Sequence, residues 1–585
     1  MSESLAERIA ALPKSRRALF QALAGRTGGR AAEREDPEPA PRDPGTAPVL
    51  SFAQRRLWFI DQLQPGSPAY NVPVATRIRG PLNVTALHGA LQDVVDRHEV
   101  LRTVYQDVAG AAEAVPRVID GYRLPLPVTD LPDEDAVRAF YDADASAPFD
   151  LAGAVPLRAS LARLSPDDHV LVLNLHHIVT DGWSMRLLAT ELERAYAHRT
   201  GAGYADPGGP HPPLALQYAD FAAWQRDRIG GERLASLTGF WREELAGAAP
   251  VDLPTDRPRP PVFGHAGASR YIELPPGLIA RLREFGRSEG ATLYMTMLAG
   301  FAATLRRWTG QEDIVVGTSV SGRDHPAFSD LIGFFVNTLP LRIRTGGDPG
   351  FAELVRATRH TTLQAYAHQE LPFDLIVDAL GLPRDPSRPP LTSVMFLLDE
   401  TPDTAPGLAG LATEPIDFSS RATKYDLMIS VHDTGSAVRA LVEYPTDLFD
   451  ATTVDRLLGH FLTTLEAAVE RPAEPLSALP LLTEPERRAA LDDWNATRAP
   501  FPQDACLHHL FEEHADRRPD AAAVVCGGLG GWSVTYEELE RRANRLAHRL
   551  VEAGAGPDRT VALCLRRGPG LVTAILAVLK AGAAY

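Results

Sequence analysis

The stretch H-H-I-V-T-D-G-W-S, His176 to Ser184, sits where a strand pattern gives way to a helix pattern. Before it, Val170 to Leu175 is a short apolar run behind Asp167 and Asp168, and a Val/Leu run of this length predicts a buried strand. After it, Leu187, Leu188, Leu192 and Tyr196 recur at helical spacing, with Ser184 as the expected N-cap. Strand, tight loop and helix in that order can hold a polar side chain at a cavity mouth, beside the free amides of a helix N-terminus. Gly182 is expected to permit the sharp backbone turn.

Neighbouring residues of an extended chain point to opposite faces, so only one of His176 and His177 can enter a given cavity. Spacing alone leaves three readings of the loop. In the plainest, the histidines pack at a strand end while Asp181 caps the helix. A zinc site would need further ligands, and no Cys, His or Glu nearby has the required spacing. General acid/base chemistry needs a side chain that titrates near neutral pH, which imidazole does.

With 585 residues, the chain is expected to hold three or four structural units. Its apolar and charged fractions, 45% and 23%, are those of ordinary globular protein. A net charge of -16 argues against a nucleic-acid groove, which needs clustered Lys and Arg. The three cysteines, Cys506, Cys526 and Cys564, form no C-x-x-C pair and suggest reduced thiols in a cytoplasmic protein. No apolar run reaches membrane-spanning length, and the N-terminus has no signal-peptide core.

Residues 1–29 carry two short amphipathic helix patterns broken at Pro13, a segment suited either to folding back or to docking an upstream partner. A Pro- and acid-rich linker spans 30–48. Order resumes with S-F-A-Q-R-R-L-W-F-I, Ser51 to Ile60, and R-H-E-V-L-R-T-V-Y, Arg97 to Tyr105. In the latter, His98 and Arg102 read first as a buried histidine and an ion-pairing arginine. Leu216 to Asp227 places Tyr218, Phe221 and Trp224 three apart, as core aromatics would be. A proline-rich break, Pro250 to Phe263, leads to an Ala/Leu-rich helix at Leu293 to Trp308, a strand at Asp313 to Thr318 and a turn at Ser321 to Asp324. The run Leu331 to Arg344 predicts a bulged or two-part strand. His368 to Asp374 reads as a helix end, and Arg384 to Leu391 as a loop into the strand Thr392 to Leu398.

Taken together, these segments resemble the condensation domains of nonribosomal peptide synthetases. His176, His177, Asp181 and Gly182 match that family's HHxxxDG motif, and six further stretches look like its other signature motifs in order: Ser51 to Ile60, Arg97 to Tyr105, Tyr218 to Trp224, Ile332 to Thr338, His368 to Asp374 and Arg384 to Leu391. Pro389, where Asn is frequent, and Thr180, where Ser is usual, are small departures.

The resemblance implies an α/β fold with mixed sheets, in which two chloramphenicol-acetyltransferase-like lobes, 49–215 and 216–475, form a V-shaped pseudo-dimer around a central tunnel. It implies no cofactor or metal held by the chain itself. Donor and acceptor groups would arrive as thioesters on the phosphopantetheine arms of an upstream donor carrier, on another subunit, and a downstream acceptor carrier. His177 would be the catalytic residue, and Asp181 would pair with either Arg323 or Arg102 to stiffen the loop. Gly182, Trp183 and Ser184 would border the arm's path, with Ser184 bonding to the arm. The motifs look most like the subtype joining an L-donor to an L-acceptor. A starter subtype with a fatty acyl donor, an epimerisation domain and a non-catalytic carrier-recruiting module are the competing readings.

Beyond a linker at 476–505, residues 506–585 resemble the start of an adenylation domain, with V-T-Y-E-E-L at Val534 to Leu539 and A-N-R-L-A-H-R-L at Ala543 to Leu550. That domain's phosphate loop and catalytic lysine would lie past Tyr585, so no adenylation activity is expected of these residues. Leu529 to Val534 mimics a carrier attachment motif around Ser533, but its setting suits a hairpin turn instead.

Overall fold

The computed structural model describes residues 38–585 apart from 44, 109–112, 203–210, 384, 400–404, 417, 419–421, 434–436 and 528–530. The segment expected at 1–29 and residues 30–37 of the linker lie outside the described residues. The chain divides into two compact units, the first ending at Glu486 and the second beginning at Arg487.

The first unit is built on two mixed α/β lobes. The strand expected at Val170 to Leu175 runs Asp168–His176 and lies at the centre of a five-stranded sheet. Its neighbours are Asn71–Arg79 and Leu157–Ser165, both antiparallel to it, and Val128–Asp130 lies beyond the latter. Eight of its nine residues are buried, as a run of Val and Leu between two covered faces requires. The second sheet has the strand order Gly267–Leu274, Val438–Pro445, Leu427–Asp433, Val394–Asp399, Asp313–Val320, Asn337–Arg344. Helix Leu293–Thr309 packs against it and is buried on nearly every side, consistent with its apolar residues running all round rather than along one stripe.

The two lobes exchange elements. Ala412–Ile416, far along in the second lobe, forms the edge of the first sheet by pairing with Asn71–Arg79. In return, the core around Leu87, Leu101 and Ile178 takes in Leu216, Tyr218, Phe221, Phe328 and Phe335. The core aromatics expected at 218 and 221 are therefore shared by both lobes.

Residues 331–336 depart from the expected two-part strand. Only Asn337–Arg344 is a strand, and 331–336 crosses between the lobes as irregular backbone. Its donors are taken by side chains of the first lobe instead of by a sheet. Ile332 N donates to His98 Nδ1 (3.3 Å), Gly333 N to Ser184 Oγ (3.0 Å) and Phe335 N to Asp181 Oδ2 (2.9 Å). A backbone donor buried without a partner costs on the order of 1–3 kcal/mol, so these side chains make the crossing possible.

In the second unit, helices Leu507–Arg517, Tyr536–Glu552 and Pro569–Lys580 pack with the hairpin Ala522–Cys526 and Trp532–Thr535. Lys580 is nearly buried and pairs with Glu512 and with Glu540. Ser533 lies within the hairpin opposite Val525. Among the described residues no helix is long and apolar enough to cross a membrane.

Candidate active site

Asp181, not Ser184, caps the helix that follows the loop. The helix is Gly182–Thr200, and the Asp181 carboxylate accepts from Ser184 N at 2.8 Å. Ser184 sits at the start of the first turn and is fully buried, with its Oγ donating to Gly333 O and accepting from Gly333 N and Arg323 Nη2. Engaged on every side, it cannot bond to an arm in the cavity, and the expectation that it would is corrected. Gly182 does not adopt a positive φ, and a Cβ added there would meet nothing within 4 Å. It lines the cavity and keeps that wall bare; the turn itself does not require a glycine.

The two histidines separate as the alternation of an extended chain demands. His176 is 3% exposed, its Nδ1 accepts from Ile178 N (3.2 Å), and its ring lies among Tyr70 and Phe149. His177 enters the cavity wall. Its backbone N–H donates to Tyr70 O (2.8 Å), and its ring meets Phe334 edge-on at 4.7 Å. Nδ1 lies 2.7 Å from Thr180 O. A carbonyl only accepts, so Nδ1 carries the proton and Nε2 keeps a free lone pair. Burial pulls both imidazoles down to about 3 from their ordinary value of 6.5, and the Lys424 charge adds to the shift. His177 is thus a neutral imidazole with its basic nitrogen directed away from the loop's own backbone.

Arg323 is the partner of Asp181. Its Nη2 is 3.6 Å from Asp181 Oδ1 and 2.9 Å from Ser184 Oγ, its Nη1 donates to Leu331 O at 2.8 Å, and its guanidinium lies 3.8 Å above the Phe335 ring. The turn that carries it requires Gly322, whose φ is +62° and where an added Cβ would fall 2.0 Å from Phe335 O. Arg102, the other candidate, is engaged elsewhere: it donates to Ile119 O at 3.3 Å and lies 3.7 Å from Asp120. His98 proves structural, hydrogen-bonded to Glu191 at 2.9 Å, and Arg97 pairs with the same carboxylate.

His177, Gly182 and Trp183 line a cavity of about 1190 Å³ between the lobes. Trp183 is 42% exposed, and its indole N–H donates to Ser329 O at 3.0 Å. The cavity is also lined by Arg56, paired with Asp374 at 3.4 Å, and by Lys424. Sequence reasoning missed two supports of the site, one of the loop and one of the crossing segment. Gln54 donates to Ile178 O at 3.1 Å, and the Tyr218 hydroxyl donates to Phe334 O at 2.5 Å. Both lie inside signature motifs, but nothing in their spacing pointed them at these partners. In the second unit Cys506, His508 and His509 bring ligand atoms within 4.8 Å of one another, and His509 Nδ1 already accepts from Cys506 N.

Comparison with known proteins gives these observations a context. The condensation-domain family matches residues 46–491, and the AMP-binding enzyme family matches residues 511–585. The chain is 42% identical over 557 residues, 94% of its length, to a linear gramicidin synthase of Brevibacillus parabrevis, and spans 7% of that protein. It is 41% identical over 594 residues to phosphinothricin tripeptide synthetase PhsC of Streptomyces viridochromogenes, covering 99% of this chain and 53% of that one. In structure it is similar to the X-domain from teicoplanin biosynthesis, with a TM-score of 0.71, 29% identity, and coverage of 76% of this chain and 100% of that one.

Proposed function

The chain belongs to the condensation-domain family of nonribosomal peptide synthetases, followed by a short adenylation-family segment, and from that premise we propose that its first unit joins two carrier-bound acyl groups through an amide bond. The donor is an acyl or peptidyl thioester and the acceptor an aminoacyl thioester. Each is presented on the phosphopantetheine arm of a carrier domain, which supplies the activated thioester. The acceptor amine attacks the donor carbonyl, the C–N bond forms and the C–S bond breaks. The proton shed by nitrogen leaves with the thiol.

The observation that carries this reading is His177: a neutral imidazole whose Nδ1–H is tied to Thr180 O, leaving Nε2 free in the wall of the inter-lobe cavity. It accepts a hydrogen bond from the amine and receives its proton as the bond forms. General-base assistance of this kind contributes on the order of 10²- to 10⁴-fold, whereas alignment of the two reactants can supply effective molarities of ~10⁵ M or more. The larger share therefore falls to the cavity that aligns the arms. Asp181 and Arg323 act behind the loop, and Gly182 and Trp183 border the arm's path. An L-configured donor and acceptor remain the favoured substrates.

A single-turnover reaction between donor- and acceptor-loaded carriers, followed by intact carrier mass, tests the proposal. The acceptor carrier is expected to gain the mass of the donor acyl group, and His177→Ala to lose most of that rate. A change of stereochemistry on one carrier would favour epimerisation, and carrier binding without chemistry would favour recruitment alone.

A further inference from the structure

The chain uses arginine almost everywhere it needs a cation. Of its 59 basic residues three are lysines, Lys14, Lys424 and Lys580, so Lys424 is the only lysine between residues 15 and 579. Of the two in the described residues, Lys580 serves a buried ion pair. Lys424 has no such partner: among the described residues no carboxylate lies within 4.0 Å of its ammonium, which rests 4.9 Å from the centre of the Tyr70 ring. Tyr70 also holds the loop, since its carbonyl receives the His177 N–H and its ring lies 6.3 Å from that of His176. Tyr70, Lys424 and His177 line one cavity.

We propose that Lys424 is a positioning residue for the condensation reaction: its positive charge in the wall of the His177 cavity keeps the incoming acceptor amine in its free-base form and adds to the burial that keeps the imidazole neutral. The inference rests on the amide-forming reading above. An amine attacks only when unprotonated, and a base accepts only when neutral. A fixed cation in a water-poor cavity raises the energy of any second cation there. The charged or titratable groups lining the same cavity are Arg56, Asp374, Glu443, Tyr425 and His432, together with Arg186, Arg228, Arg283, Arg287, Asp324, Glu370, Asp399 and the tyrosines Tyr70, Tyr294 and Tyr366, with His176 behind the loop. Arg56 is matched by Asp374, and Glu443 draws Lys424 toward its charged form without reaching ion-pair distance. Burial, opposed by Glu443, brings the Lys424 ammonium down to about 8, so the charge is present at neutral pH and removable above it. A guanidinium never gives up its proton in this range, which is a physical reason for lysine in an arginine-rich chain.

The experiment compares wild type, Lys424→Met and Lys424→Arg in single-turnover amide formation from pH 5 to pH 10. Thermal stability and the NMR titration of the His177 imidazole are recorded on the same proteins. Removing the charge is expected to move the acidic limb of the rate profile to higher pH by about one unit, a tenfold loss below the limb, while wild type and Lys424→Met converge above pH ~9. Lys424→Arg restores the limb. Lys424→Met is also expected to raise both the Tm at pH 7 and the imidazole pKa. An unchanged acidic limb and imidazole pKa, or a fall in Tm as for a structural lysine, would overturn the proposal. If wild type forms no amide at any pH, the condensation reading fails by itself, and the imidazole titration and Tm still decide the role of Lys424.

Discussion

The carboxylate of Asp181 accepts the backbone N–H of Phe335 at 2.9 Å across 154 residues of chain, and with its other oxygen accepts Ser184 N at 2.8 Å. One side chain thereby closes a helix N-terminus in the first lobe and anchors the irregular crossing segment from the second. Arg323, buried beside it, neutralises the charge. Burial pushes that guanidinium down from its ordinary value, and Asp181 opposes the effect.

Removing one member of this buried pair leaves the other uncompensated, which costs about 3–5 kcal/mol. Asp181→Ala is therefore expected to lower the unfolding free energy of the first unit by that amount in urea titrations. Asp181→Asn, which keeps one acceptor oxygen, should lose less. In a double-mutant cycle with Arg323→Met the two changes should be strongly non-additive; additive losses would show that the pair acts as two separate contacts.

The two histidines should divide stability from activity. His177→Ala is expected to reduce single-turnover rate by about 10²- to 10⁴-fold with little change in Tm, because its ring faces the cavity. His176→Ala removes a buried ring and its bond to Ile178 N, and should lower Tm. A reversed pattern would move the chemistry to His176.

Acid should weaken the fold through the same residues. Both imidazoles are held at about 3 in the folded protein against 6.5 ordinarily, so the unfolded chain binds their protons first. Stability is fully present above pH ~6.5 and falls as pH drops toward 3. Replacing His176 by Gln should flatten that acid loss, as measured by denaturation midpoints from pH 4 to pH 8.

Two glycines of the site should behave in opposite ways. Gly322→Ala forces a side chain into a left-handed position against Phe335 O, and is expected to destabilise the unit or prevent its folding. Gly182→Ala meets no steric obstacle and replaces glycine at the first position of a helix, so Tm should hold or rise. Its methyl group would intrude on the bare cavity wall, and turnover should fall. Normal turnover in Gly182→Ala would remove that wall from the substrate path.

Much of the site was legible from local pattern. The Val/Leu run, the helical spacing after the loop and the alternation that parts His176 from His177 depend only on neighbours in the chain, and the resemblance to condensation domains rested on seven motifs in their order. The same local logic misread residues 331–336 as strand. Their apolar character fits a buried strand, but their donors are met by His98, Ser184 and Asp181, more than 140 positions away.

By itself, then, the sequence determined the order of the elements, the family and the loop that presents His177, because periodicity and motif spacing are properties of consecutive residues. Tertiary structure alone decided that Arg323 and not Arg102 pairs with Asp181, that Ser184 is sealed in the lobe junction, and that Lys424 stands in the same cavity as His177 with no carboxylate at ion-pair distance among the described residues. Partner choice for a buried charge depends on which long-range neighbour arrives within a few ångströms, since Coulomb attraction in a poorly hydrated interior decays with distance in space and is blind to distance along the chain.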